Sequence, residues 1–194
     1  MAFPPFTVPV GSVTQEIVTN GVRTESPYSF KQTAYDFMGA RWGATIELSV
    51  MEERTLATCL RWLASLNGSF STFEMLAFDY AGPFGTITAN PTVAAAASAR
   101  AQSLSVVVVS GDALVADDRI TIDGHLHVVT SAEVPLSEVQ DITVWPRLRA
   151  DVSIGDPVEA LAPYATWALA RPRNALRSNV DFTNSVTLEL VEAV

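Results

Sequence analysis

His125 and His127 are the only two histidines in the chain, and they stand two residues apart in RITIDGHLHVV, residues 119–129. On a strand, residues two apart share a face, and Asp123 leads toward that face. Imidazoles and a carboxylate are zinc ligands, so this is a possible two- or three-ligand metal edge. Asp123, however, belongs to the Asp123-Gly124 turn, and no further ligand stands at a metal-binding spacing. The expected role of the two histidines is therefore a solvated or interface strand face, with no metal. Glu52-Glu53 and Asp117-Asp118 are paired carboxylates. Adjacent side chains diverge in a helix or a strand, so neither pair forms an acid–base dyad. A helix cap and a turn are expected instead. The chain has no serine elbow, no phosphate-cradling glycine loop and no Cys-His set. Its one cysteine, Cys59, permits no intrachain disulfide and falls on the apolar face of a predicted helix, as a small core residue. Trp62, Trp145 and Trp167, with Arg147 and Arg171 near them in sequence, have the residue types of a sugar-stacking surface. Tryptophans more commonly anchor cores and subunit contacts. No catalytic residue and no cofactor is expected.

The elements that hold these residues are organised around Gly39 to Gly68. Trp42, Ala44, Ile46 and Leu48 alternate with polar residues and Gly43, the period of a half-buried strand. The period then changes. Leu56, Leu60, Leu63 and Leu66, with Cys59, predict one apolar helix face over residues 51–66. Ser49 with Glu52 reads as a capping box, and Asn67-Gly68 as a stop. Upstream, Val8 to Val18 and Tyr28 to Phe37 read as strands joined by a turn at Asn20-Gly21. Pro4, Pro5 and Pro9 favour an edge or an arm, carrying Phe3 and Phe6. Downstream, Phe70 to Phe78 reads as a strand with bulky apolar groups on both faces. Composition shifts after residue 85. Ala94 to Ala97 reads as loop or extended chain, Leu104 to Val109 as a buried strand, Arg119 to Val129 as a hairpin about Asp123-Gly124, and Gln140 to Trp145 as a strand. Thr166 to Ala170 and Val186 to Val191 close the chain as strands, the last expected to join the sheet that begins near the N-terminus.

The expected fold class is mainly β. One β-sandwich domain with a single main α-helix is built from residues 1–85 and 157–194, and residues 86–156 form an inserted or appended small β-barrel domain.

Bulk composition excludes several classes of function. The 194 residues are 48% hydrophobic and 17% charged, with Lys31 the only lysine and a formal net charge of −9. That supports a real core and a low-charge surface suited to covered, assembled faces. Nucleic-acid binding needs clustered cations, and the densest arginines, at 147 and 149 and at 171, 173 and 177, are diluted by apolar residues. An acidic surface repels DNA and suits a wall that DNA slides past. MAFPPFTVPV lacks a basic segment and is broken by prolines, so no secretory signal is expected. The longest apolar runs are too short to cross a bilayer, so no membrane insertion is expected.

Tyr35-Asp36, Gly39-Ala40-Arg41-Trp42, Thr45 to Leu48 and the helix ending Leu66-Asn67-Gly68 form one pattern, followed by Phe70 and Phe73. Leu114, Asp117-Asp118 and the hairpin to Val129, then Ile142-Thr143-Val144-Trp145-Pro146-Arg147-Leu148-Arg149, form a second. Together they resemble tail proteins of long-tailed bacteriophages, and most of all the distal tail protein (Dit) family. In such proteins a Gly-Asp usually stands where this chain has Asp117-Asp118, so an altered turn is expected there. The resemblance implies a belt-type β-sandwich with a helix and a second domain that is OB-like or galectin-like. It implies a structural, non-enzymatic virion protein at the tail tip, assembled in the host cytoplasm. Its subunits would form a homo-oligomeric ring, most like a hexamer, joining the tail tube protein to a baseplate or hub protein, with tail fibres as further partners. Another hub or tube-completion component, or a carbohydrate-binding module, is the alternative reading.

Overall fold

A computed structural model of the chain describes residues 10–51, 53–77, 80–171, 175–178 and 184–194. The segment with Phe3 and Phe6, the Glu52 half of the capping box, Phe78 and the Pro172 break lie outside the described residues. The fold is mainly β with one main helix, a β-sandwich accompanied by a small barrel-like β-domain.

The chain opens with two long antiparallel strands, β1 (Val10–Glu25) and β2 (Gln32–Met51). The ladder runs from Val10↔Leu48 to Glu25↔Gln32. The expected turn at Asn20-Gly21 is not there. Asn20 pairs with Gly39 and Gly21 with Asp36, so the dipeptide marks a bulge inside one continuous ladder. A Cβ at Gly21 would press on the Tyr35 carbonyl at 3.2 Å, which accounts for a glycine there. The chain actually reverses at residues 26–31, where Phe30 N–H donates to Ser26 O and Ser26 N–H to Lys31 O.

Strand β2 leads almost directly into helix α1 (Glu53–Ser65), slightly shorter than the predicted 51–66 because Met51 is still in the strand. Asn67 and Gly68 take left-handed backbone, φ 49° and 70°, and end the helix as that pair predicts. The buried face is Cys59, Trp62 and Leu66, flanked by Leu56 and Leu63. Leu60, assigned to that face by its spacing, is 42% exposed. The inward direction is set by Trp62, whose large ring packs edge-on against Phe73 with centroids 5.0 Å apart. A short 3-10 turn (Gly68–Phe70) precedes β3 (Thr72–Leu76). Only Phe73 of that strand is fully buried; Leu76 and the preceding Phe70 are exposed, so the chain's own residues leave its second face uncovered.

The next five strands, β4 (Thr92–Val93), β5 (Ser103–Val107), β6 (Arg119–Ile122), β7 (His125–Ala132) and β8 (Val139–Trp145), form a curled sheet of order β4-β5-β8-β7-β6. Asp123 and Gly124 turn β6 into β7 with φ 50° and 77°, the primed-turn geometry expected of Asp-Gly. Residues 94–97 are irregular, as expected. The chain then returns through β9 (Tyr164–Leu169), β10 (Ala175–Ser178) and β11 (Asn184–Glu192). The first sheet has the order β1-β2-β11-β9-β3, with β10 on β11. The final strand therefore pairs with β2, as expected.

Each sheet has its own core. The first gathers Ile46 and Leu48 from β2, Phe73, Trp167, Leu188 and the helix face. The second gathers Leu104, Val106, Ile120, Val129, Ile142 and Val144. Burying one such side chain stabilises by about 1.5–3 kcal/mol. Leu126, Val128 and Trp145 come from the second sheet yet pack in the first core, so the two sheets are joined by shared apolar surface.

Candidate functional site

The densest polar chemistry lies where the two sheets meet, and its centre is Glu192, near the end of β11. Its carboxylate is buried, takes donors from three places and has the His125 ring beside it. Trp42 N–H donates to Oε2 at 3.2 Å, and Leu126 N–H to Oε1 at 3.3 Å. Arg149 Nη2 lies 3.3 Å from Oε2, and His125 Nδ1 3.5 Å from Oε1, the latter an ion-pair separation at the outer limit of a hydrogen bond. Burial pushes the Glu192 carboxyl up. The His125 and Trp42 donors and the Arg149 charge outweigh it and hold the group below the ordinary carboxylate range.

The joint is extended on both sides. Arg149 also donates to the Ala40 carbonyl, reaching across to β2. The Trp42 indole donates to Leu126 O at 2.9 Å and meets Trp145 edge-on at 4.9 Å. At the other end of the β6–β7 hairpin, Thr166 N–H donates to Gly124 O at 2.9 Å, and Thr121 Oγ1 accepts from Tyr164 N–H at 2.7 Å. Gly39 to Trp42, the 119–129 hairpin and Trp145 to Arg149 are far apart in sequence and were singled out separately; here Ala40, Trp42, Leu126, Trp145 and Arg149 touch.

His127 is buried beside this joint, with Nδ1 2.8 Å from Pro146 O. A carbonyl only accepts, so Nδ1 carries the proton. Burial lowers the His127 pKa to about 4 against the pull of Pro146 and Glu192, so the ring is neutral near pH 7. The two histidines thus stand at an interface between sheets, one of the roles expected for that face. Asp123 stays in its turn. Among the described residues no three His, Cys, Asp or Glu side chains gather as a metal site.

Asp117 and Asp118 diverge as adjacent residues should, but Asp118 does more than line a turn. It is fully buried and takes N–H donors from Phe84 at 2.6 Å, Gly85 at 3.4 Å and Val115 at 2.8 Å, and the Tyr80 hydroxyl at 3.2 Å. That carboxylate fastens loop 80–85 to the second sheet. A Cβ at Gly85 would collide with the Ala113 carbonyl, so the loop requires glycine. Asp117 has φ 74°, the left-handed backbone a glycine favours. Asp117 therefore holds a backbone conformation that a glycine would take without strain. Sequence reasoning missed the Asp118 hub and the Glu192 joint.

Trp62 and Trp167 are core residues, and Trp145 is packed on Trp42, so these three do not form a sugar-stacking platform. Cys59 is buried, and burial raises its thiol pKa. The Glu192 and Asp118 carboxylates each hold a sheet or a loop in place through several N–H donors.

The outer part of the β1–β2 hairpin is different. From Ile17 to Phe37 nearly every described side chain is exposed, including Ile17, Val22, Tyr35 and Phe37, with Tyr28 at 96% and Phe30 at 74%. Where this arm leaves the body, a cleft of about 380 Å³ is lined by Val18, Asn20, Gly39, Arg41, Arg149 and other residues. The chain matches no protein-family model and no curated protein.

Proposed function

We propose that this chain is a structural subunit of a bacteriophage tail tip, closing a hexameric ring between the tail tube and the baseplate hub. The observation that carries the reading is the hairpin arm. A long two-stranded ribbon with exposed Tyr28, Phe30, Tyr35 and Phe37 is an apolar surface of the kind that monomers rarely leave open. Two further features support it. Among the described strands, β1 pairs only with β2, β3 only with β9 and β10 only with β11, so the first sheet has unpaired edges. Such edges are liabilities unless a neighbour covers them. The Glu192 joint also fixes the second sheet on the first, which suits a subunit that transmits geometry. The resemblance of the Gly39–Gly68 and Leu114–Arg149 patterns to tail-tip proteins names the setting. The arm and sheet edges would close the ring, the −9 net charge would give the lumen an acidic wall, and the second sheet would carry outer partners.

Sedimentation velocity tests this with the arm variant Tyr28→Ser/Phe30→Ser/Phe37→Ser. These side chains are exposed, so melting should hold while the assembled species is lost. An assembly unchanged by the triple variant would remove the arm from the account.

A further inference from the structure

The cleft at the root of the hairpin arm lies where β2 loses its strand neighbour. Strand β11 pairs with β2 only as far as Val191↔Gly43. At the next positions side chains take its place: Glu192 accepts from Trp42 N–H, and Arg149 donates to Ala40 O. Beyond Ala40, β2 has a neighbour only in β1 among the described strands. The cleft of about 380 Å³ opens at this edge, lined by Gly39, Ala40 and Arg41 on the β2 side. A smaller hollow of about 100 Å³ shares Gly39 and Ala40 with it and continues to Asp36 and Arg147.

Three of the 12 cations of the chain, Arg41, Arg147 and Arg149, thus meet at one crevice in a molecule of net charge −9. Much of their hydrogen-bonding capacity is unspent. Arg149 is largely buried, yet only its Nη2 is bonded, to Ala40 O and to Glu192 Oε2 at 3.3 Å. Its Nε is buried without a partner, an uncompensated donor beside the cleft. Arg147 spends Nη1 on Arg100 O. Arg41 is exposed on the same cleft and has no hydrogen-bond or ion-pair partner among the described residues. Among the side chains, Glu192 balances Arg149 and Asp36 offsets Arg147, which leaves one positive charge, at Arg41. One net charge with several free N–H groups matches a monoanionic carboxylate rather than a phosphate dianion.

We propose that this cleft binds a carboxylate, held between Arg41 and the free nitrogens of Arg149, on an extended acidic segment that lies along the open edge of β2. An open edge offers backbone groups to such a segment, and the arginines select the side chain it must carry. The two oxygens of a carboxylate fit the guanidinium fork, and the hydrogen bonds they form are charge-assisted. Val18 and Val194 give the cleft apolar walls for the stem of that side chain. The site is independent of the ring reading, since all of its residues lie in one copy.

Phenylglyoxal labelling of arginines, read by peptide mass spectrometry on the full chain, tests this. The probes are acetyl-Val-Glu-Val-amide and its glutamine counterpart, at equal ionic strength. The glutamate probe should slow labelling at Arg41, while Arg61, exposed on α1, reacts unchanged. Half-protection should need about tenfold less of the glutamate probe than of the glutamine probe, the margin of a charge-assisted hydrogen bond over a neutral one. Isothermal titration of the glutamate probe provides the second measurement. Arg41→Gln should raise its Kd about tenfold and Arg61→Gln should leave it unchanged. Arg149→Lys keeps the charge facing Glu192 but loses the fork, and should raise the Kd as well. Circular dichroism verifies that each variant is folded. Equal protection by both probes, equal protection at Arg61, or no protection overturns the proposal. Acetate protecting Arg41 as well as the glutamate probe does would overturn docking of a segment on the β2 edge.

Discussion

Replacing Glu192 by glutamine is the sharpest perturbation of the joint between the sheets. Both carboxylate oxygens serve donors: Oε1 accepts from Leu126 N–H with His125 Nδ1 3.5 Å away, and Oε2 accepts from Trp42 N–H and Arg149 Nη2. An amide keeps only one oxygen. Whichever way it sits, its NH₂ points at one or more N–H donors, and Arg149 loses its charge partner. Breaking one side of a buried ion pair costs about 3–5 kcal/mol, because a charge is left desolvated without compensation. The neighbouring pair Arg171–Glu189, 2.8 Å apart, is the natural control. It is largely exposed, and such pairs are worth about 0–1 kcal/mol. Urea unfolding at pH 7 should therefore show a loss of about 3–5 kcal/mol for Glu192→Gln and under about 1 kcal/mol for Glu189→Gln. Glu192 is held below the ordinary carboxylate range. Its stabilisation is therefore fully present above that range and is lost as pH falls through the folded value. The difference between wild type and Glu192→Gln should shrink in acid. Equal losses at positions 189 and 192, or a loss below about 1 kcal/mol at 192, would refute the joint as described.

Three other perturbations follow from the same geometry. His127 has a folded pKa of about 4 against 6.5, so the unfolded chain takes up a proton first and stability falls as pH drops from about 6.5 to 4. At about 1.4 kcal/mol per pH unit the full loss is about 3 kcal/mol, and His127→Gln should flatten that part of the pH–stability curve. Asp117→Gly should hold or raise stability by up to about 1 kcal/mol in thermal unfolding, because it relieves a left-handed residue at φ 74°, whereas a β-branched Asp117→Val should lower it. Leu60→Ala should cost under about 1 kcal/mol, since the side chain is 42% exposed, while Trp62→Ala on the buried face should cost about 3–5 kcal/mol by the same assay.

What could be read from the sequence was local. Asn67-Gly68 ends the helix and Asp123-Gly124 turns the hairpin because both pairs act through their own backbone. Asn20-Gly21 carried the same signal and misled, because its pairing with Gly39 and Asp36 continues the ladder; the glycine is required by the nearby Tyr35 carbonyl. Leu60 misled because helical spacing fixes a face only to within a residue, and Trp62 decides the direction by bulk. Glu192 was illegible for a different reason. Alternation puts it on the apolar face of Val186, Leu188 and Leu190, but the groups that satisfy it there lie 150, 66 and 43 residues away. Asp118 likewise takes donors from Phe84 and Gly85, 34 and 33 residues distant, and only its neighbour's backbone hinted at a special turn. The patterns centred on Trp42, on the 119–129 hairpin and on Arg149 could be seen separately. That they meet at one joint required the fold.

The central claim is that this chain closes a ring with copies of itself. Native mass spectrometry of the purified full chain, across concentrations from about 1 to 100 µM, tests it most directly. The account predicts a closed species of six subunits, lost in the Tyr28→Ser/Phe30→Ser/Phe37→Ser variant. A wild-type chain that remains a monomer throughout that range contradicts it.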